Sequence, residues 1–146
     1  MNDYKHVLAA IDFSSSADQV LLKARDIAQR NNAKFSLLHV VEYMPPMDYG
    51  SDPMIGNWGV DESEMQEQAK LSLQRISEQH KLENADLNVL LGTPKHEISQ
   101  FVQDQQCDLV VIGSHGRHGI GLLLGSTANA VLHAMPCDIL AVKIEE

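Results

Sequence analysis

The run Gly113-Ser-His-Gly116-Arg-His-Gly119-Ile-Gly121-Leu-Leu-Leu-Gly125-Ser126-Thr127 is where this chain is best equipped for chemistry. It follows the apolar Leu109-Val-Val-Ile112 and leads into the helix-compatible Thr127-Ala-Asn-Ala-Val-Leu-His133. Strand, glycine-rich loop and helix in that order aim backbone N–H groups and a helix N-terminus at an anion. Gly113 lets the backbone turn sharply as it leaves the strand, and Gly116 leaves room for a phosphate beside the main chain. Gly125 and Ser126 add an N–H and a hydroxyl at the helix start. A tight but empty connection would be glycine-rich too; the place at a strand's carboxyl end favours the anion. The run is not a Walker A loop, because Gly-Lys-Ser/Thr is missing. Nor is it a dinucleotide fingerprint, which would follow the first strand instead of the fourth.

Other polar residues are weighed against plainer roles. Asp12 ends the first apolar run, where a carboxylate can accept from a ribose hydroxyl or hold a cation near phosphate. It could instead cap the next helix, a task open also to Ser14, Ser15 and Ser16. Val40 or Val41 can flank a base and offer backbone hydrogen bonds to its edge. His115 and His118 form an H-x-x-H pair with no cysteine or carboxylate placed to complete a metal site. Arg117 and His118 suit phosphate or solvent, His39 a buried hydrogen-bonded place inside a strand, and His133 the last turn of a helix. No serine, histidine and acid are spaced as a nucleophilic triad, so no catalytic residue and no metal ligand is assigned.

The elements that must position these residues are read from periodicity. His6–Ile11 is apolar without alternation, as in a strand covered on both faces. Val20, Leu21, Ala24, Ile27 and Ala28 then share one helical face, with Asp18, Lys23, Arg25 and Arg30 outward. Asn32 ends that helix as a left-handed cap, and Lys34–Val41 is a second buried strand. Residues 42–60 form a long loop with three methionines, Tyr49 and the only tryptophan, Trp58, a composition suited to a lid or to a partner. Asp61–Lys81 reads as a helix with Met65, Ala69, Leu73 and Ile76 inward. Ala85–Leu91 is a third strand, polar at its start and therefore suited to a sheet edge. Gly92 turns the chain, and Thr93-Pro94 starts a helix whose apolar face is Ile98, Phe101 and Val102. Asp108–Ile112 is the fourth strand, a helix over about 126–133 follows, and Asp138–Ile144 is the fifth strand. Short strands separated by helices imply an α/β fold with a parallel sheet covered on both faces. Order 3-2-1-4-5 would bring the ends of strands one and four, Asp12 and Gly113, to one crevice.

Whole-chain properties bound the function. The 146 residues suit a single domain, 1–146, that needs no metal or disulfide to build a core. A net charge of -9 repels nucleic acid and anionic membrane surfaces. No apolar run is long enough to span a bilayer, and nothing at the start resembles a secretion signal, which points to the cytoplasm. Cys107 and Cys137 both abut apolar runs; free thiols in a reducing compartment are the plainer reading, with a bridge as the alternative.

Over its full length the chain resembles the universal stress protein family. The resemblance rests on Lys5-His-Val-Leu-Ala-Ala-Ile-Asp-Phe-Ser14, Leu37-Leu-His-Val-Val41 and Asp108-Leu-Val-Val-Ile-Gly-Ser-His-Gly-Arg-His-Gly119. It continues through Leu124-Gly-Ser-Thr-Ala-Asn-Ala-Val-Leu-His133 and Cys137-Asp-Ile-Leu-Ala-Val142. It implies a Rossmann-like, open five-stranded parallel sheet in the order 3-2-1-4-5, and a homodimer formed through the last strand. The family's nucleotide-binding branch carries Gly-x2-Gly-x9-Gly-Ser/Thr around ATP phosphates. Gly113 and Gly116 match its first half and Gly125-Ser126, followed by Thr127, its second, but only eight residues separate Gly116 from Gly125. That spacing resembles the branch nearer universal stress protein A, regarded as not binding ATP. By resemblance, Asp12 matches the acid near ribose and phosphate, and Val40 the position beside adenine. Ala10 stands where some binders have proline, and Ile112 precedes the first motif glycine.

Three functions follow as expectations. One is a stress-response regulator binding ATP or AMP, with or without Mg2+, without fast catalysis. Another is a nucleotide-independent homodimeric adaptor that contacts a protein partner through loop 42–60. The third is a weak ATPase, opposed by the missing Walker lysine and by the lack of an obvious water-activating base.

Overall fold

The computed structural model describes residues 3–14, 17–42, 62–113 and 135–143. Within them the chain forms β1 (His6–Ala10), α1 (Ala17–Asn31), β2 (Lys34–Glu42), α2 (Glu62–Gln79) and β3 (Asp86–Gly92). It continues through α3 (Pro94–Gln105), β4 (Leu109–Gly113) and β5 (Asp138–Val142). Of the expected loop at 42–60, Glu42 ends β2 instead; residues 43–60, the glycine run beyond Gly113 and the helix over 126–133 lie outside the described residues.

The five strands form one parallel sheet in the order β3-β2-β1-β4-β5. All five residues of β1 and of β4 are buried, which explains their unbroken apolar runs. β3 occupies an edge and has no fully buried residue, in keeping with its more polar start. Alternate residues feed two cores. Val7, Ala9, Leu37, Leu109 and Val111 meet Val20, Leu21, Ala24 and Ala28 of α1 and Leu73 of α2 on one face. Leu8, Ala10, Leu38, Val40, Val110 and Ile112 meet Ile98, Phe101 and Val102 of α3 on the other. Each large side chain hidden in this way contributes roughly 1.5–3 kcal/mol, and the alternation fixes strand register, since a slip of one residue would exchange the two faces.

Helix α2 ends at Gln79, and its inward stripe differs from the expected one. Ala69, Leu73 and Ser77 are buried, while Met65 and Ile76 are half-buried. The stripe follows successive i+4 positions, and Ser77 can enter it because its hydroxyl donates to the carbonyl of Leu82 at 3.1 Å.

The three helices among the described residues stop in the same way. Asn32, Lys81 and Gln106 have φ of 52°, 55° and 55°. The next residue then donates back to the last turn: Ala33 to Ala28, Leu82 to Ser77 and Cys107 to Val102, at 2.8, 2.9 and 3.0 Å. These bonds satisfy carbonyls that the helix leaves without partners. At its start α3 has Thr93 as N-cap in an extended conformation with Pro94 just inside, but the threonine hydroxyl makes no cap bond. Its carbonyl accepts from Glu97 N–H at 2.9 Å, so the pre-set φ of proline does the work expected of the side chain.

At the amino end of the sheet, Asp108 holds the start of β1. Its two carboxylate oxygens accept from Lys5 and His6 N–H at 2.8 and 2.9 Å. The buried His6 ring lies 3.1 Å from the carbonyl of Gln105 through Nδ1 and 2.7 Å from Ser36 Oγ through Nε2. Tyr4 donates to the Asp138 carboxylate at 2.8 Å, a bond that raises the pKa of its phenol and ties the chain start to β5.

Candidate functional site

The chain runs from β1 outward through β2 to β3, then returns to the other flank of β1 for β4 and β5. Connections therefore leave the carboxyl ends of β1 and β4 in opposite directions, and a crevice opens between them. Val7, Leu8 and Ala9 pair with Leu109, Val110 and Val111, so continuing that register sets Ala10 level with Ile112 and the segment after β1 beside Gly113. Asp12 and Gly113, 101 positions apart in sequence, thus share one end of one strand pair.

Ala10, Val40 and Ile112 are at most 1% exposed and belong to the core on the α3 side. Pairing of β1 with β2 stops at Ala10 and Leu38, so Val40 stands two residues beyond the last paired position. All three are core residues near the carboxyl ends of their strands. Gly113 is buried at the tip of β4. Gly116, Arg117, Gly125, Ser126 and Thr127, with His115, His118 and His133, lie outside the described residues.

Asp12 is half-buried, and its Oδ1 accepts from Ser14 N–H at 3.0 Å. The carboxylate thus shapes the turn it stands in, as aspartates do two residues ahead of a donor. Helix α1 begins where Ala17 N–H reaches the carbonyl of Ser14 at 3.0 Å, so Ser14 supplies a backbone contact at the entry to the helix.

Two residues that periodicity did not single out as a pair fix this turn. Phe13 has a φ of 61°, a conformation a bulky side chain rarely adopts. Its ring stacks on His39 with centroids 4.0 Å apart and planes 28° from parallel. His39 Nδ1 is 2.8 Å from the carbonyl oxygen of Ile11; a carbonyl only accepts, so that nitrogen carries the hydrogen. Ile11 N–H in turn donates to Leu38 at 3.0 Å. His39 is half-buried instead of fully enclosed, because it sits where β2 outruns β1 and covers the turn. The signal available in sequence was an imidazole in an apolar strand, two residues beyond Leu37.

Neither cysteine belongs to the site. Both are free; Cys107 is buried and Cys137 half-buried. Burial first, then neighbouring negative groups, pushes both thiols up from 9.0 to about 12, which keeps them protonated and unreactive near neutrality. No group of three or more histidine, cysteine or acidic residues is arranged for a metal among the described residues. No helix among them is long and apolar enough to cross a membrane.

Comparison with known proteins agrees with this geometry. A sequence profile described as the universal stress protein family matches residues 3–143. Universal stress protein A homolog 1 of Coxiella burnetii is 37% identical over 143 residues, covering 98% of this chain and 99% of that protein. Among solved structures, universal stress protein UspA from Lactobacillus plantarum has a TM-score of 0.65 at 27% identity, covering 99% of this chain and 100% of that one. A universal stress protein solved in complex with cAMP has a TM-score of 0.68 at 22% identity, covering 97% and 98% of the two chains, a likeness of fold.

Proposed function

The chain belongs to the universal stress protein family, and on that premise we propose that it is a stress-response regulator binding an adenine nucleotide, ATP or AMP, without fast catalysis. The observation that carries this reading is the reversal of strand order at β1 and β4, which brings Asp12 and Gly113 to one crevice near the core residues Ala10, Val40 and Ile112. The related protein in complex with cAMP supports an adenine ligand for this fold. In the proposed complex the base lies by Val40, Asp12 accepts from the ribose or holds a Mg2+ ion by the phosphates, and Gly113 and Gly116 let backbone N–H groups approach the anion. Arg117, Gly125, Ser126 and Thr127 supply the remaining donors.

The test is direct. Protein purified without added nucleotide is denatured, any released small molecule is identified by mass spectrometry, and ATP and AMP are then titrated calorimetrically. Recovered or titratable nucleotide is expected; an empty protein that neither nucleotide titrates overturns the reading. Gly116→Val abolishes binding with the fold retained and Asp12→Ala weakens it, so unchanged affinity in both removes the assigned site.

A second reading is favoured by one specific observation, the eight-residue spacing between Gly116 and Gly125. A loop one residue short displaces Gly125 by about 3.8 Å, one Cα step. The chain would then act as a nucleotide-independent homodimer joined through β5, which lies at a sheet edge with Ile139, Leu140 and Val142 half-exposed, and would contact a protein partner through residues 42–60. Sedimentation of a monomer at micromolar concentration would exclude it.

A further inference from the structure

At the opposite end of the sheet from Asp12, the C-terminal ends of α1 and α2 and the start of β2 line an open cavity of about 460 Å³. Three cations line it, Arg25, Lys34 and Lys81, against one carboxylate, Glu83. In a chain whose net charge is -9, this is a local excess of two positive charges, three minus one. Phe35 and Leu82, 9% and 8% exposed, form an apolar part of the wall. The volume is in the range of small-molecule sites, in which apolar walls carry a few convergent polar groups.

A plainer account would have the cations complement the negative ends of two helices. Backbone bonds already serve part of those ends. The closing bonds from Asn32 and Ala33 serve α1, and those from Lys81 and Leu82 serve α2, all through backbone N–H. Nor, among the described residues, do acids pair with the two lysines, and Arg25 makes only one long ion pair. Among the described residues the ion pairs are Arg25 with Asp26 at 3.8 Å and His80 with Asp18, and neither lysine takes part. The Arg25 Nε is buried and is the one such side-chain polar atom without a hydrogen-bond partner among the described residues. A guanidinium with one orphaned nitrogen and one long contact is free to turn its fork towards a ligand.

We infer that this cavity is a second binding site, independent of the nucleotide crevice, for a small organic anion: an oxyanion group held by Arg25, Lys34 and Lys81, with an apolar body laid on Phe35 and Leu82. Charge alone does not explain the apolar wall, and an apolar ligand alone does not explain the cations.

The test uses hexanoate, hexanol and inorganic phosphate as probes, each titrated into the full chain labelled with 15N and followed by amide shifts. Hexanoate produces saturable shifts over Lys34, Phe35 and residues 81–85, weakened as salt screens the charges. Hexanol and phosphate each bind at least about tenfold more weakly, the loss of roughly one contact's worth of affinity. Lys34→Gln with Lys81→Gln weakens hexanoate by about tenfold or more; both lysines are exposed, and thermal unfolding checks that the variant is folded. Phosphate binding as well as hexanoate would show a site that reads charge only. Hexanol binding as well would show an apolar hollow. Either result, or the absence of saturable shifts, overturns the inference. The comparison of the three probes on the unaltered chain remains decisive should the double variant fail to fold.

Discussion

The Phe13 ring stacks on the His39 imidazole, centroids 4.0 Å apart, and the same imidazole holds the carbonyl of Ile11 at 2.8 Å. One side chain of β2 therefore grips the turn after β1 at two points on either side of Asp12. A left-handed Phe13 persists because these contacts over-determine it.

His39→Leu keeps the bulk but leaves the Ile11 carbonyl without that donor. The expected loss is about 1–3 kcal/mol of stability, read by urea denaturation. Phe13→Ala keeps the unusual φ and loses the stack, and is expected to lose about 1–2 kcal/mol. If the turn serves the proposed nucleotide site, both variants also weaken nucleotide binding in calorimetry. A variant as stable as the parent would show that the stack does not hold the turn.

Gly92 has a φ of 152°, and a Cβ added there would stand 2.6 Å from Glu97 Oε1 and 2.8 Å from its Cγ. Gly92→Ala is expected to destabilise by about 1–3 kcal/mol. Adding Glu97→Ala removes the clash but not the backbone strain, so a double-mutant cycle recovers part of the loss. Full recovery would mean that the φ at Gly92 costs alanine nothing.

Gln106 closes α3 in the left-handed region, with φ 55° and ψ 46°. Glycine avoids the Cβ penalty there, at about 1–2 kcal/mol, against an extra entropy cost of about 0.5–1 kcal/mol. Gln106→Gly is therefore expected to stabilise by roughly 0.5–1 kcal/mol, raising Tm by about 2 °C in a chain of this size. A lower Tm would show that the Gln106 side chain contributes more than its backbone conformation costs.

Both thiols are pushed from 9.0 to about 12 by burial in the folded chain. In the unfolded chain they ionise near their ordinary value, so the unfolded state releases protons first as pH rises. The stability tied to the neutral thiols is fully present below pH 9.0 and is lost as pH climbs towards about 12. Cys107→Ala with Cys137→Ala is expected to flatten the alkaline fall in Tm. At pH 7.5 a thiol-specific chromogenic disulfide should label the native chain slowly and the urea-unfolded chain at once; rapid native labelling would contradict the burial.

Much of the architecture was legible from local pattern. The unbroken apolar runs at β1 and β4 signalled strands covered on both faces, because such runs leave no side for water. Asn32 marked a left-handed helix end, and Pro94 a helix start, because those residues fit backbone conformations set by covalent structure alone. Crossovers implied a parallel sheet, and the order 3-2-1-4-5, proposed because it brings the ends of strands one and four together, rested on the family resemblance and is the order found. Asp12 and Gly113 were legible as neighbours because one follows β1 by two residues and the other ends β4, and strand ends are positions that periodicity marks.

What only the tertiary structure decided is which distant groups meet. Nothing near Asp108 in sequence indicates that it grips the backbone of Lys5 and His6, more than a hundred residues away. Nothing near Ser77 indicates that its hydroxyl has an acceptor and can be buried, or near Lys34 that it faces Arg25 and Lys81 across a cavity. Periodicity reports which face of an element is apolar; it carries no term for the register and crossing of one element on another. The sequence by itself therefore determined the described elements and where their strands end, whereas the hydrogen-bonded pairs, the Phe13–His39 clamp and the cationic cavity required the sheet to be assembled.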